Sequence, residues 1–317
     1  MTAEIETYLG VQTPPWHGLG ITVDTPPSTE EAIKLAGLDW TVETQELFLS
    51  NGSKVPDARA TVRSTDGAVL GVVGPRFMPL QNREAFRFFD PIISAKEATI
   101  ETAGALKGGR RVWILTKIAQ DPLEIVRNDI VSAYLLLAHA HDGSLAIHVG
   151  FTPVRVVCQN TLSAALNHAD SQLIRVRHTA KAEETLDEVR DTMNVARRVF
   201  EATGEQYRSL AFKGISTQDL ERYVQLVVLG KIEVVDLTAE EMEKGQRVMG
   251  KILPLFESES NSLPGVSGTW WAAYNAVTEF TSHIRGRSQD TRVDSLWFGP
   301  SKNMNRNALS LALEMSS

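Results

Sequence analysis

A single cysteine, Cys158, in 317 residues excludes an intramolecular disulfide framework and any four-cysteine zinc site. No uncharged apolar run approaches the ~20 residues needed to cross a bilayer, so no membrane span is expected. The opening MTAEIETYLG holds two acids and no basic residue, so no signal peptide and a cytoplasmic location are expected. Positive charge is in short supply. Lys and Arg number 32 against 39 Asp and Glu, and the net charge of −7 excludes a uniformly basic nucleic-acid coat. The sequence also lacks a Walker A loop, a GxGxxG turn into a helix, HExxH, paired CxxC and GxSxG. Each of these carries a specific catalytic or cofactor geometry, so their absence lowers the weight of an enzyme without removing it. No cofactor is expected.

What is present is an ordinary globular composition, 43% hydrophobic and 22% charged, at a length that suits about two domains. The first half is β-rich. TVETQELFLS (41–50), ARATVRS (58–64) and AVLGVV (68–73) are separated by Asn51-Gly52 and Asp66-Gly67, dipeptides suited to hairpin turns. Residues 80–93 predict a short helix. Strands are predicted at 98–106 and 110–118 around Lys107-Gly108-Gly109, at 131–140 and 145–150 around Asp142-Gly143-Ser144, and at 153–158. A short helix is expected at 161–169. The second half turns helical near His178. Leu186, Val189, Met193, Ala196, Phe200, Thr203, Tyr207 and Leu210 recur at alternating spacings of three and four, which predicts one long helix. This stripe either packs on its own domain or forms a subunit interface through Leu186, Val189, Met193, Phe200 and Tyr207. Further helices are expected at 217–229, 238–255 and 268–285, the second opened by a capping box of Thr238 and Glu241. The expected fold is therefore α+β: an N-terminal antiparallel-sheet domain with short helices over 1–178, then an all-helical domain over 179–317 with one long helix.

Three separated segments stand out: Pro15-Trp16-His17-Gly18-Leu19-Gly20, the run 151–161 (FTPVRVVCQNT), and the run 268–279 (GTWWAAYNAVTE). In this order they resemble the phage/plasmid-like proteins that share a domain of unknown function, found on bacteriophages, plasmids and prophage islands. The resemblance covers most of the chain. It implies a mobile-element setting in a bacterial host cell, where DNA replication, recombination and counter-defence are common tasks, and it carries no catalytic residues.

Several residue groups could carry function. Trp16 and His17, stiffened by the preceding prolines and followed by glycines, could stack a base or anchor the N-terminus in the core. Lys107, Arg110 and Arg111 place three cations on a glycine-rich turn able to track a phosphate backbone. Arg175 and Arg177, with His178 and Lys181, form a second basic run, and Arg285, Arg287 and Arg292 a third. Arg155 interrupts an apolar strand between Val154 and Val156, which suggests an open polar face. His139, His141 and His148 flank a turn, but three histidines of unset register with one turn acid, Asp142, make a poor zinc site, so no metal is expected. Cys158, ending an apolar strand with no base supplied by the sequence, suits a buried small side chain better than a nucleophile. Trp271, Asn275, Glu279 and His283 fall on one line of a helix, a polar face suited to a base edge, a metal, or an inter-domain or subunit contact.

These features converge on a non-enzymatic nucleic-acid-binding protein, single-stranded DNA favoured, acting as a homo-oligomer in recombination or replication. Two other readings stay open: a hydrolase or transferase using Arg155, Glu279 and His283, which requires the three to meet, and a counter-defence or scaffold protein that binds another protein.

Overall fold

The computed structural model describes residues 8–11, 21–158, 160–161, 182–230 and 238–317. The chain forms two compact units that do not follow one another along the sequence. The first comprises Met1–Gln120, Tyr134–Phe151 and Asp170–Ala196, the second Asp121–Ala133, Thr152–Ala169 and Arg197–Ser317.

The first unit begins with β1 (Tyr8–Val11), β2 (Ile21–Val23) and helix α1 (Thr29–Leu35), whose start is fixed by a Ser28–Glu31 capping box. Strands β3 (Val42–Phe48), β4 (Lys54–Arg63) and β5 (Val69–Val73) follow as an antiparallel three-stranded sheet. Its turns fall at Asn51-Gly52 and Asp66-Gly67, where both glycines take positive φ, as such turns require. The stretch expected as one helix is two, α2 (Asn82–Arg87) and α3 (Asp90–Ser94). Pro91 lies in the first turn of α3, where a missing N–H costs nothing and the chain can start afresh.

Strands β6 (Ala98–Leu106), β7 (Arg111–Ile118) and β9 (Asp129–Ala140) build the larger sheet. Within this unit β7 lies between β6 and β9, and β6 pairs with β1. Strands β7 and β9 are buried along nearly their whole lengths. Covering on both faces explains why 133–138 reads as a continuous run of Ala, Tyr and Leu instead of an alternation. Gly71 marks a close approach, since a Cβ there would lie 2.6 Å from Asp142 Cα and Cβ. Gly71→Ala should therefore force the backbone apart and destabilise the protein by about 1–3 kcal/mol. A lowered denaturant midpoint with an unchanged m-value would show it; an unaltered midpoint would mean the strand relaxes freely.

The second unit holds β8 (Leu123–Val126) paired with the start of β9, and β11 (Asn160–Thr161) paired with the end of β10 (His148–Arg155). Its helices are the later part of α4 (Ala182–Ala211), then α5 (Thr217–Leu229), α6 (Ala239–Ile252), α7 (Trp270–Glu279), α8 (Gln289–Phe298) and α9 (Pro300–Met315). Thr238 and Glu241 form the expected capping box of α6. Helix α7 is buried on nearly every side and passes directly into a π-helical turn, Phe280–Ile284. Tyr207 of α4 packs on Trp271 and Tyr274 of α7 at centroid separations of 4.7 and 6.1 Å.

The structure corrects the expected fold class. The larger sheet is not wholly antiparallel, because β1 and β2 run parallel with Leu9 opposite Ile21. Nor is the helix-rich unit all-helical, because β8, β11 and parts of β9 and β10 belong to it. The division falls inside continuous strands, where hydrophobic periodicity gives no sign of it. Residues 145–150 and 153–158, expected as two strands, are largely one, β10. The helix expected at 161–169 lies outside the described residues apart from Thr161.

Candidate functional site

Arg155 stands where an apolar strand offers no water, so its charge must be met by the protein. It is fully buried. Its Nε and Nη2 donate to the two carboxylate oxygens of Asp129 at 2.6 and 3.0 Å, a bidentate pair. The second Nη2–H donates to the carbonyl of Ser260 at 2.8 Å, and Nη1 to Asn261 Oδ1 at 2.7 Å and Cys158 Sγ at 3.8 Å. All five guanidinium N–H groups are thus engaged. Trp271 donates its indole N–H to Asp129 Oδ2 at 2.7 Å and lays its ring 5.7 Å from the guanidinium carbon. The open polar face expected at Arg155 is therefore a sealed ion pair with no donor left for a phosphate.

Asn261 carries the network onward. Its Nδ2 donates to Glu279 Oε2 at 3.2 Å, which also accepts from Ser258 Oγ at 2.8 Å and Ser260 Oγ at 3.3 Å. One helical turn later, His283 Nε2 lies 2.8 Å from the carbonyl oxygen of Cys158 and 2.9 Å from Asn160 Oδ1. A carbonyl can only accept, so Nε2 must carry the proton in the neutral ring and Nδ1 the lone pair. Burial holds this imidazole below its ordinary pKa, against Cys158 and Glu279, which raise it; Arg292 pushes it further down. Burial likewise raises the Cys158 thiol, against the pull of Arg155.

The line Trp271, Asn275, Glu279 and His283 is thereby accounted for. Trp271 and Asn275 are fully buried, Asn275 returning its amide to the Trp271 carbonyl at 2.8 Å. Glu279 and His283 fasten the segments 258–261 and 158–160 to α7 and the π-turn that follows it. Arg155, Glu279 and His283 do meet, joined through Asn261, Cys158 and α7. The network is organised to hold backbone: His283 addresses the carbonyl of Cys158, and the guanidinium and Glu279 Oε2 are spent on protein partners. Sequence reading missed Asp129, Ser258, Ser260 and Asn261, which sit in turn-rich stretches where polar residues are ordinary.

Beyond His283 the charge changes character. Between residues 285 and 306 the sequence has five cations, Arg285, Arg287, Arg292, Lys302 and Arg306, against two acids, Asp290 and Asp294. Arg285 is half-buried, reaching across to α9 with Nη1 2.8 Å from Met304 Sδ. Arg292 donates from Nε to the Arg285 carbonyl at 3.1 Å. Lys302 and Arg306 are exposed residues one turn apart on α9. Desolvation lowers the pKa of Arg285, Arg292 and Lys302, with Arg306 acting further on Lys302. Among the described residues no carboxylate forms a salt bridge with Arg285, Arg287, Arg292 or Arg306. The sequence shows Arg285, Arg287 and Arg292; Lys302 and Arg306 join them only because α8 and α9 form a helical pair. The Gly299-Pro300 junction between those helices was the available signal.

The cationic turn at 107–111 is less free than its sequence suggests. Lys107, Gly108 and Gly109 all take positive φ, and Gly109 is buried, its absent Cβ leaving room for Arg63 Nη1 at 3.0 Å. Arg63 in turn lies over Trp40 and forms a bidentate pair with Asp66. Arg110 is exposed, and Arg111 donates to Ser144 Oγ at 3.2 Å. His139 and His141 are buried with rings 4.8 Å apart, and His141 bonds Asn82 Oδ1 at 3.1 Å. Desolvation lowers the pKa of His141 to about 4. His148 opens β10 half-buried. Among the described residues no group of three or more His, Cys, Asp or Glu side chains is placed to hold a metal.

Trp16, His17, Arg175 and Arg177 lie outside the described residues, as do the side chains of Leu186 and Val189. The rest of the proposed oligomer seam turns inward. Met193, Phe200 and Tyr207 are at most 1% exposed in the single chain, so they pack as core and offer a partner no surface. No described helix is long and apolar enough to cross a membrane. A family model described as "Domain of unknown function (DUF932)" matches residues 69–297. No curated protein and no solved structure matches the chain.

Proposed function

We propose, for a chain that belongs to the family sharing the domain of unknown function DUF932, that it is a nucleic-acid-binding protein of phages or plasmids, with single-stranded DNA as its ligand. The observation that carries this is the cationic shelf of Arg285, Arg287, Arg292, Lys302 and Arg306. Its arginines lack a carboxylate partner among the described residues, although the whole chain bears a net charge of −7. Half-burying Arg285 and Arg292 with no carboxylate partner among the described residues costs free energy, and an arriving phosphate recovers it. Local positive charge on an acidic protein concentrates a polyanion at one place and discourages it elsewhere. Lys107, Arg110 and Arg111 supply a further, smaller group of cations on the first unit. The enzyme reading has the convergence of Arg155, Glu279 and His283 in its favour, but those groups are consumed by contacts that hold the backbone.

Fluorescence anisotropy with labelled single-stranded and duplex oligonucleotides at several salt concentrations tests the proposal. Binding should weaken as salt rises, with a logarithmic slope of about −0.7 per phosphate contact, or roughly −2 to −5.5 for three to eight contacts on a single strand. Replacing Lys107, Arg110 and Arg111 together by Ala should flatten that slope by up to about two units. No binding of either oligonucleotide at low salt would discard nucleic acid as the ligand.

A further inference from the structure

We infer that the cationic shelf continues into an apolar surface, formed by Val156, Val157 and Ile284, that takes up the faces of unpaired bases and so favours single strands over duplex. This rests on the nucleic-acid reading and names the second half of its site. The first observation is a pair of valines in a turn. Strands β10 and β11 form a hairpin, with Val154 opposite Thr161 and Arg155 opposite Asn160, and residues 156–158 open the turn between them. Surface turns favour Gly, Asn, Asp, Ser and Pro. Valine suits a pleated, half-buried strand instead. Val156 is nonetheless 48% exposed and Val157 43%, while Arg155 beside them is fully buried. Side chains so exposed add little to the core, and the turn itself does not call for them.

The second observation is where that turn is fastened. His283 Nε2 lies 2.8 Å from the Cys158 carbonyl oxygen and 2.9 Å from Asn160 Oδ1. The Thr161 N–H donates to Ser282 Oγ at 3.3 Å, and Asn305 Nδ2 donates to the Thr161 carbonyl at 3.2 Å. Val157 and Ile284 thus each stand one residue from the contact between Cys158 and His283, and Ile284 is also exposed. Arg285 follows Ile284 directly, and Arg292 donates to the Arg285 carbonyl at 3.1 Å. Exposed aliphatic side chains and shelf cations therefore adjoin within the second unit, on backbone that hydrogen bonds pin in place.

Charge decides the occupant. A ligand covering this surface must bring negative charge to Arg285, Arg287 and Arg292 and apolar area to the aliphatics, on one molecule. A strand with unpaired bases has both. In a duplex the base faces are stacked on one another, so the aliphatic side chains gain nothing from it. Contact with free base faces removes apolar area from water, a gain that salt does not screen. Val and Ile offer no donor or acceptor to a base edge, so the preference is for strandedness and not for sequence. An anionic lipid surface also joins charge to apolar matter, but it is entered to a depth of about 5–10 Å, which three short side chains on pinned backbone do not reach.

Three labelled oligonucleotides of equal length separate the contributions: a single strand, a duplex, and a single strand with abasic sites in place of its bases, which keeps the phosphates. By fluorescence anisotropy, wild-type protein should bind the abasic strand about 5- to 20-fold more weakly than the base-bearing strand, with the same salt slope. This comparison needs no variant. In the triple variant Val156→Ser, Val157→Ser, Ile284→Ser, affinity for the base-bearing strand should fall by about the same factor, and affinity for the abasic strand and the duplex should change by less than about twofold. Equal binding of base-bearing and abasic strands by wild type overturns the inference while leaving phosphate binding in place. A triple variant that still discriminates between them as wild type does overturns it as well. Vesicles of anionic phospholipid that retain wild type and release the triple variant would give the surface to lipid and also overturn it. No binding of any oligonucleotide at low salt overturns the nucleic-acid reading itself, and this inference with it.

Discussion

Arg155→Ala is expected to destabilise the helix-rich unit by about 3–5 kcal/mol, enough to threaten folding of an ordinary domain. The cost arises mainly from what the substitution leaves behind. Asp129 is fully buried and meets Arg155 through both carboxylate oxygens. Without the guanidinium it keeps the Trp271 indole N–H but loses its counter-charge. Asn261 Oδ1 and the Ser260 carbonyl lose their donors at the same time. Lys at this position should recover only part of the stability, because an ammonium cannot serve two carboxylate oxygens, an amide and a carbonyl from one planar fork. A double replacement, Asp129→Asn with Arg155→Met, should be less damaging than Arg155→Ala alone, since it removes both charges together. Denaturant unfolding of the four proteins would measure this. An Arg155→Ala protein within about 0.5 kcal/mol of wild type would mean that water enters and solvates Asp129, and the sealed-pair description would fall.

Arg155 also shows where sequence reading stops. A charged residue inside an apolar strand announces that something polar must meet it, and that much was legible. Whether the partner is solvent, ligand or protein depends on Asp129, Ser260 and Asn261, which are 26, 105 and 106 residues away. No local pattern links them. The alignment of Trp271, Asn275, Glu279 and His283 was legible for the same reason that a helix is, because its period is fixed. What that line holds, the segments 158–160 and 258–261, was not.

The same distinction governs the fold. Asn51-Gly52 and Asp66-Gly67 place their turns because the required φ is a property of two residues. The parallel pairing of β1 with β2 and the division of β9 and β10 between units depend on contacts that periodicity does not encode. The 186–210 stripe reported correctly that one face of a helix is covered, and left open by what. Burial of Met193, Phe200 and Tyr207 within the chain gives that answer. On the cationic shelf, Arg285, Arg287 and Arg292 could be read as a cluster, while Lys302 and Arg306 join them only because α9 follows α8 with the single residue Gly299 between them.

Neutralising the shelf should abolish most nucleic-acid binding while leaving the fold intact. The substitutions Arg285→Gln, Arg292→Gln, Lys302→Gln and Arg306→Gln remove four charges but keep much of each aliphatic stem, so the packing of Arg285 near Met304 is largely preserved. If each side chain meets one phosphate, the salt slope should flatten by about three units for a single strand. Affinity at low salt should fall on the order of 10²- to 10³-fold, the counterion-release contribution of four lost contacts. Stability provides the control, and its sign is informative. Lys302 and Arg306 repel each other on α9, and Arg285 and Arg292 carry a desolvation cost with no carboxylate partner among the described residues. Removing those charges should leave the melting temperature unchanged or raise it. A group retained for folding would behave in the opposite way, losing stability with its charge. Anisotropy titrations and thermal unfolding of the same preparation therefore separate the two roles. A quadruple variant that binds with wild-type affinity and slope would move the phosphate contacts away from α8 and α9, leaving Lys107, Arg110 and Arg111 as the next residues to neutralise.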